Sequence, residues 1–214
     1  MKFEKISGKT LRQRIYDQLR RSIISGDILP GESISLKDLS EQFDVSIMPV
    51  REALWQLESE KIIVINSNRS IHVNKLTAKE MEEALQIRII LETQASRLAC
   101  ERRPESAVKE VKILLDSMIS LIKNPKKYID KNSDFHLTIY SYSESPMLLE
   151  IINMLWARVG PYFIIHATNL EDLYHTVEYH KKMFGAFANR DKRMITEAVQ
   201  QDLENAARLI IPHL

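Results

Sequence analysis

Residues 35–57 read SLKDLSEQFDVSIMPVREALWQL, and the spacing of their apolar side chains decides the first part of the fold. Leu36, Leu39 and Phe43 mark one short helix capped by Ser35. Val50, Ala53, Leu54 and Leu57 mark a second, capped by Ser46, with only Asp44-Val45 between the two. Two short helices joined this tightly make a helix-turn-helix. Pro49 fits the second helix, because a proline in the first turn lacks an N–H that has no intrahelical partner anyway.

Upstream, Leu11, Ile15, Leu19 and Ile23 recur at one-turn spacing and stop at Ser25-Gly26, which predicts a first helix of about sixteen residues. The turn Leu29-Pro30-Gly31-Glu32 follows it. Downstream, Ile62-Ile63-Val64-Ile65 is a β-branched run, residues 66–70 are a turn, and Ile71-His72-Val73 is a second strand. This hairpin directly after the second helix predicts a wing. Thr77 and Glu80 then have the spacing of a capping box, so a new helix begins there and residues 74–77 form the junction.

The expected fold is mostly α. A winged helix-turn-helix with a small β-hairpin occupies residues 1–75, and a C-terminal all-α helical bundle occupies residues 76–214. Beyond residue 76 the pattern is helical, with helices expected near 77–101, 104–123, 126–143, 146–167, 170–189 and 191–211. Pro104, Pro125, Pro146 and the break at Asn189-Arg190-Asp191 set the boundaries, and Pro161 should kink the fourth.

With 214 residues, 44% of them hydrophobic, the chain can bury a core in each part. Its single cysteine, Cys100, excludes an internal disulfide and suits a reducing compartment. The charged start of the chain and the lack of any membrane-length apolar run predict a soluble, cytoplasmic protein with no membrane partner. Net charge is only +1, yet Lys2, Lys5, Lys9, Arg12, Arg14, Arg20 and Arg21 face only Glu4 and Asp17 near the N-terminus.

In a helix-turn-helix the start of the second helix reaches base edges in the major groove. With Val50, Ala53, Leu54 and Leu57 inward, Ser46, Met48, Arg51 and Trp55 point outward. Arg51 is suited to guanine, whose O6 and N7 a guanidinium bonds together. Arg12 and Lys37 are placed for phosphate, and Arg69 on the wing for the minor groove. The alternative is that Arg51 pairs with Glu52 or Glu58 and that the small domain binds protein. Leu11 to Glu32, with Gly26-Asp27 and Pro30-Gly31-Glu32, and Leu39 to Leu54, with Pro49-Val50-Arg51-Glu52-Ala53-Leu54, closely resemble the GntR family of bacterial regulators. That resemblance implies binding to double-stranded DNA as a homodimer on a palindromic operator. It implies DNA contact by Arg51, Ser46 and Met48 and by the wing residues Asn68, Arg69 and His72. The chain departs from the family pattern at Ile47, where arginine is usual, and at Lys61 and Ser70, where glycine is usual.

In the helical part, polar groups interrupt three apolar stripes. Asn132 and His136 share a face with Tyr128, Phe135, Ile139 and Tyr140. His180 lies among Leu173, Val177, Phe184 and Phe187, and Asp202 among Ile195, Ala198, Val199, Ala206 and Leu209. Facing helices in a bundle can hold a divalent metal through such groups, or the groups can simply bond one another. Asp134 and His175 fall off the stripes and belong to the surface. Arg88, in line with Leu85, Glu92, Ala95 and Ala99, needs either Glu92 or a ligand anion as its partner.

Residues 83–92, the Asn132, Phe135, His136 motif, and Tyr179-His180 followed by Ala186 and Asp191 look like the FadR-type sensor domain of GntR regulators. The resemblance implies an organic-acid effector whose carboxylate is held by a divalent metal such as zinc or nickel. Asn132, His136 and His180 match the ligand pattern, and Asp202 stands where a further histidine is expected. A carboxylate there is still a ligand. The second possibility is a metal-free site in which Arg88 or Arg158 holds the effector. Two other classes stay open: a metal-dependent enzyme using His136, His180 and Asp202, which lacks any nucleophile-base pair or phosphate loop, and a protein-binding helical scaffold.

Overall fold

A computed structural model describes residues 9–167 and 169–214 of the chain; Lys2, Glu4 and Lys5 lie outside the described residues. The chain divides into two compact units, the first ending at Lys75 and the second spanning Leu76–Leu214.

The first unit opens with α1 (Leu11–Ile24), whose free N-terminal amides are met by Thr10, with Oγ1 accepting from the Gln13 N–H. Ile15, Tyr16, Leu19 and Ile23 carry its buried face. Leu11, expected on that face, is exposed. β1 (Ser33–Ile34), α2 (Leu36–Gln42) and α3 (Ile47–Ser59) follow. Ser35 caps α2 through the Asp38 N–H at 3.2 Å. Ser46 occupies the N-cap position of α3 in extended backbone, but its hydroxyl makes no cap hydrogen bond, which corrects the expected cap. Val50, Ala53, Leu54 and Leu57 are buried as their spacing requires, and α1 and α2 both pack on α3. The Tyr16 hydroxyl donates to Glu60 at the end of α3, at 2.7 Å.

β2 (Ile63–Ile65) and β3 (Ile71–Val73) form the expected hairpin, with Ile63 opposite Val73 and Ile65 opposite Ile71. The sheet has three strands in the order β1-β3-β2, all antiparallel. Gly31, at φ +85°, turns the chain into β1 while its N–H donates to Val73 O at 2.8 Å. Alternation puts Ile63, Ile71 and Val73 inward, and Val64 and His72 on the other face.

The second unit is all helix: α4 (Ala78–Arg102), α5 (Ser106–Ser120), α6 (Pro125–Ser141), α7 (Pro146–Val159), α8 (Phe163–His166), α9 (Leu170–Ala188) and α10 (Lys192–Ile210). The Thr77 and Glu80 capping box is formed at the start of α4. Pro161 does more than kink the fourth helix. It sits in a 3-10 turn (Gly160–Tyr162) that ends α7 and starts the short α8. α10 packs along both α4 and α9, and α6 lies against α4, α5 and α7. Met183 and Ala186 join the buried face of α9, where Phe184 is partly buried against the core, and Leu203 and Ile210 join that of α10, where Leu209 is partly buried. Among the described residues no helix is long and apolar enough to cross a membrane.

Candidate functional site

In the first unit, the outward start of α3 presents Ser46, Ile47, Met48 and Arg51, all exposed, with Trp55 one turn further. The Ser46 hydroxyl, unused by the helix, is free for an outside acceptor or donor. Arg51 pairs with neither Glu52 nor Glu58 and has no ion pair among the described residues. It lines an open hollow of about 540 Å³ together with Trp55 from α3, Leu36 from α2, and Ile65, Arg69 and Ile71 from the wing. Both cationic side chains of recognition helix and wing therefore border one concavity. Arg12 on α1 is exposed, and Lys37 on α2 is exposed beside Glu41 at 3.7 Å, an ion pair that solvent screens.

At the wing tip Arg69 has φ +66°, a left-handed conformation that costs a non-glycine residue energy. Asn68 builds the tip, its Oδ1 accepting from the Ser70 N–H at 3.0 Å and the Ser70 hydroxyl at 2.7 Å. His72 lies opposite Ser33 and Val64 on the sheet face turned away from the core.

In the second unit, α6, α9 and α10 bring His136, His180 and Asp202 together, all buried. His136 Nε2 lies 3.0 Å from His180 Nε2. Asp202 places Oδ2 3.5 Å from the first and Oδ1 3.5 Å from the second. One ligand atom from each fits within 4.8 Å of the others. Tyr140 OH stands 3.1 Å from His136 Nδ1 and Tyr128 OH 3.5 Å from His180 Nδ1, so each ring is held from behind with Nε2 turned inward. Asn132, one turn before His136, lines the same cavity.

Burial pushes the Asp202 carboxyl up to about 7, with Arg88 pulling the other way and Glu92 adding to the rise. Burial, then the neighbouring His180 and Arg88, hold His136 well below the ordinary histidine range, so its ring is neutral. Asp202 Oδ1 is buried with no hydrogen-bond partner. The neutral His136 imidazole, the His180 imidazole facing it and an unsatisfied carboxylate oxygen are a fitting donor set for a divalent cation of the zinc or nickel kind.

Arg88 forms the wall beside this cluster. Its Nε donates to Glu92 Oε1 at 2.6 Å, its Cζ lies 4.6 Å from the Trp156 ring centre, and Trp156 Nε1 donates to the same Glu92 oxygen at 3.0 Å. Arg88 Nη1 is buried and unpartnered. The ion pair and an unspent donor thus coexist. Arg158 is half-buried, does not line the cavity, and acts electrostatically on Glu80 at the start of α4. Asp134 and His175 are exposed. The sequence reading missed Thr176 and Asn205, which line the cavity and bond to each other at 3.3 Å. Their signal was present: Thr176 precedes His180 by one turn, and Asn205 follows Asp202 by one.

The cavity itself holds about 20 Å³. That is room for roughly one water-sized occupant.

A winged helix-turn-helix followed by an all-helical unit with buried ligand-type side chains is the build of a ligand-responsive transcription regulator. Residues 11–73 match the bacterial regulatory proteins of the gntR family, and residues 83–205 match the FCD domain. The HTH-type transcriptional regulator McbR of Escherichia coli K12 is 28% identical over 207 residues, covering 93% of this chain and 94% of McbR. The gluconate operon transcriptional repressor of Bacillus licheniformis is 28% identical over 203 residues, covering 90% and 82%. The solved structure of E. coli McbR/YncC aligns with a TM-score of 0.90 at 26% identity, over 96% of this chain and 99% of that one. The chain belongs to the GntR family and carries its FCD effector-binding domain. It is a DNA-binding transcription regulator and not an enzyme.

Proposed function

We propose that this regulator works as a homodimer on a palindromic operator and that a small carboxylate, bound beside a divalent metal in the helical domain, sets its affinity for DNA. Residues 1–75 serve as the DNA-binding domain and residues 76–214 as the sensing and dimerising domain. The observation that carries this reading is the convergence of His136, His180 and Asp202 within 4.8 Å beside the unpartnered Arg88 Nη1. Asn132 completes the ligand set. A bound metal would supply open coordination positions for a carboxylate oxygen.

Arg88 supplies the second grip, because its free Nη1 can donate to an anion while Nε stays with Glu92. A cavity of about 20 Å³ does not admit an organic acid as it stands, so the wall of Trp156, Phe163 and Arg88 must open around the effector. Arg88 lies on α4, the helix that starts three residues after Lys75, and through it effector binding reaches the linker to the DNA-binding domain. On the DNA side, Arg51, Ser46 and Met48 meet base edges, Arg12 and Lys37 meet phosphates, and Asn68, Arg69 and His72 present the wing. Specificity then comes from few side chains, since Ile47 offers an apolar contact where the family usually has arginine.

The test is direct. Protein purified without chelator is assayed for bound metal and melted with nickel or zinc alone and with a panel of small organic acids. Binding to a duplex selected from random sequence is then followed by anisotropy. The reading predicts bound metal, a higher Tm with metal, a further rise with one class of carboxylate, and a change in duplex affinity with that carboxylate. No metal-dependent rise together with no carboxylate effect on duplex binding would sink it.

A further inference from the structure

We propose that Ile47 reads the 5-methyl group of a thymine in each half-site of the operator, so that part of this regulator's base preference is carried by apolar contact and not by hydrogen bonds. This rests on the reading above that the start of α3 meets base edges, and it names the base and the atom that the first turn selects.

Ile47 and Met48 are the first two residues of α3, and they are 43% and 54% exposed. A single exposed apolar side chain is ordinary on a protein surface. These two share a face with Arg51 one turn on and Trp55 two turns on, while Val50, Ala53, Leu54 and Leu57 hold the opposite face against the core. The outward face is therefore one exposed cation set among three exposed apolar side chains. Neither Ile47 nor Met48 carries a side-chain hydrogen-bond donor, so the tip of the helix cannot select a base as Arg51 does.

The major-groove edges of the bases show what an apolar tip can select. Adenine and guanine present N7 with an amino group or O6, and cytosine presents an amino group. Thymine presents O4 and, beside it, a methyl group, the apolar atom of the set. An aliphatic side chain laid on a polar edge takes water from a donor or acceptor and gives it no partner. Laid on the thymine methyl, it removes apolar surface from water on both sides. One contact thus favours thymine and disfavours the other bases. Ile47 suits that contact because its branched Cβ leaves χ1 stiff, so little rotamer freedom is lost on binding. Met48 beside it is flexible enough to close around the same methyl and exclude water.

The test changes the DNA before it changes the protein. A duplex selected from random sequence by the full chain is titrated by anisotropy with deoxyuridine in place of each thymine in turn. Uracil pairs as thymine does and lacks only the methyl. At one position the affinity should fall about fourfold for one half-site and about fifteenfold for both, the worth of one buried methyl in each. Cytosine there, paired with guanine, should also weaken binding, and 5-methylcytosine should recover most of that loss. Ile47→Ala should bind the thymine and uracil duplexes alike, Met48→Ala should lessen the difference between them, and Ile47→Arg should move the preference at that position to guanine. Uracil tolerated at every thymine by the wild-type protein, or a uracil loss that persists unchanged in Ile47→Ala, overturns the thymine assignment alone when Arg51→Ala still weakens binding. An Arg51→Ala variant that binds as tightly as the parent, or a chain that enriches no duplex, overturns the docking of α3 and this contact with it.

Discussion

The Nε2 atoms of His136 and His180 meet at 3.0 Å from two different helices, with Asp202 closing the triangle from a third. In the metal-free state one of these nitrogens must donate a proton to the other. A cation requires both lone pairs, so both rings would then carry their proton on Nδ1, where the Tyr140 and Tyr128 oxygens can accept it.

Nickel or zinc should therefore stabilise the helical domain. At a hundredfold excess over Kd the gain is about 2.7 kcal/mol, or about 5 to 10 °C in Tm for a domain of this size. His136→Ala should abolish the rise, and Asp202→Asn should reduce it while leaving the metal-free Tm near that of the parent. Differential scanning calorimetry with and without chelator measures both.

Arg51→Ala should weaken duplex binding by about 1 to 3 kcal/mol and relax the base preference at one position of each half-site. Lys37→Ala should weaken binding to all duplexes alike and lower the slope of log affinity against log salt by about one per protomer. Anisotropy titrations at several salt concentrations separate the two outcomes.

Glu92→Gln leaves the buried Arg88 guanidinium without its counter-charge and should cost about 3 to 5 kcal/mol of unfolding free energy. Arg88→Met/Glu92→Leu should recover most of that loss, short of about 1 kcal/mol for the lost Trp156 hydrogen bond. The same double variant should lose the carboxylate response. Urea denaturation followed by far-UV circular dichroism gives the stabilities.

The capping box makes a pH-dependent contribution. The Thr77 N–H and hydroxyl hold the Glu80 carboxyl below its ordinary range. A depressed folded value means stability that is present above the unfolded value, about 4.3, and lost as pH falls through the folded one. Glu80→Gln should thus be less stable than the parent near pH 7, with the gap closing below pH 4. Thr77→Ala should cost about 1 kcal/mol near neutrality.

Lys61 follows α3 in the left-handed conformation, at φ +57°, with its N–H bonded to Glu58 O at 2.8 Å. Such a position costs a lysine about 1 to 2 kcal/mol, while glycine gives back about 0.4 to 1 kcal/mol through its freer unfolded chain. Lys61→Gly should stabilise the winged domain by up to about 1 kcal/mol without altering duplex affinity, as chemical denaturation and anisotropy would show.

Much of this was legible in the residues because it depends on spacing. Val50, Ala53, Leu54 and Leu57 define α3 by period alone, and the β-branched runs at 62–65 and 71–73 define the hairpin. β1 was not legible, since a strand of two residues has no alternation and exists only because β3 offers it an edge. Leu11 follows the period of α1 yet stays exposed, because period says which face a residue takes and not whether that face is covered there. The same holds in the cavity. The inward turn of His136, His180 and Asp202 follows from their stripes, whereas the contact between the imidazoles, the phenols behind them and the narrowness of the space depend on how three helices are rotated against one another.

The indole of Trp156 is stacked on a guanidinium, bonded to a carboxylate and walled into the cavity. The chain's other tryptophan, Trp55, is half exposed on α3. Replacing Trp55 with phenylalanine would leave one fluorophore, already seated in the wall of that cavity. Emission from that variant would report effector entry optically, with no attached label, in the same cuvette in which operator release is followed.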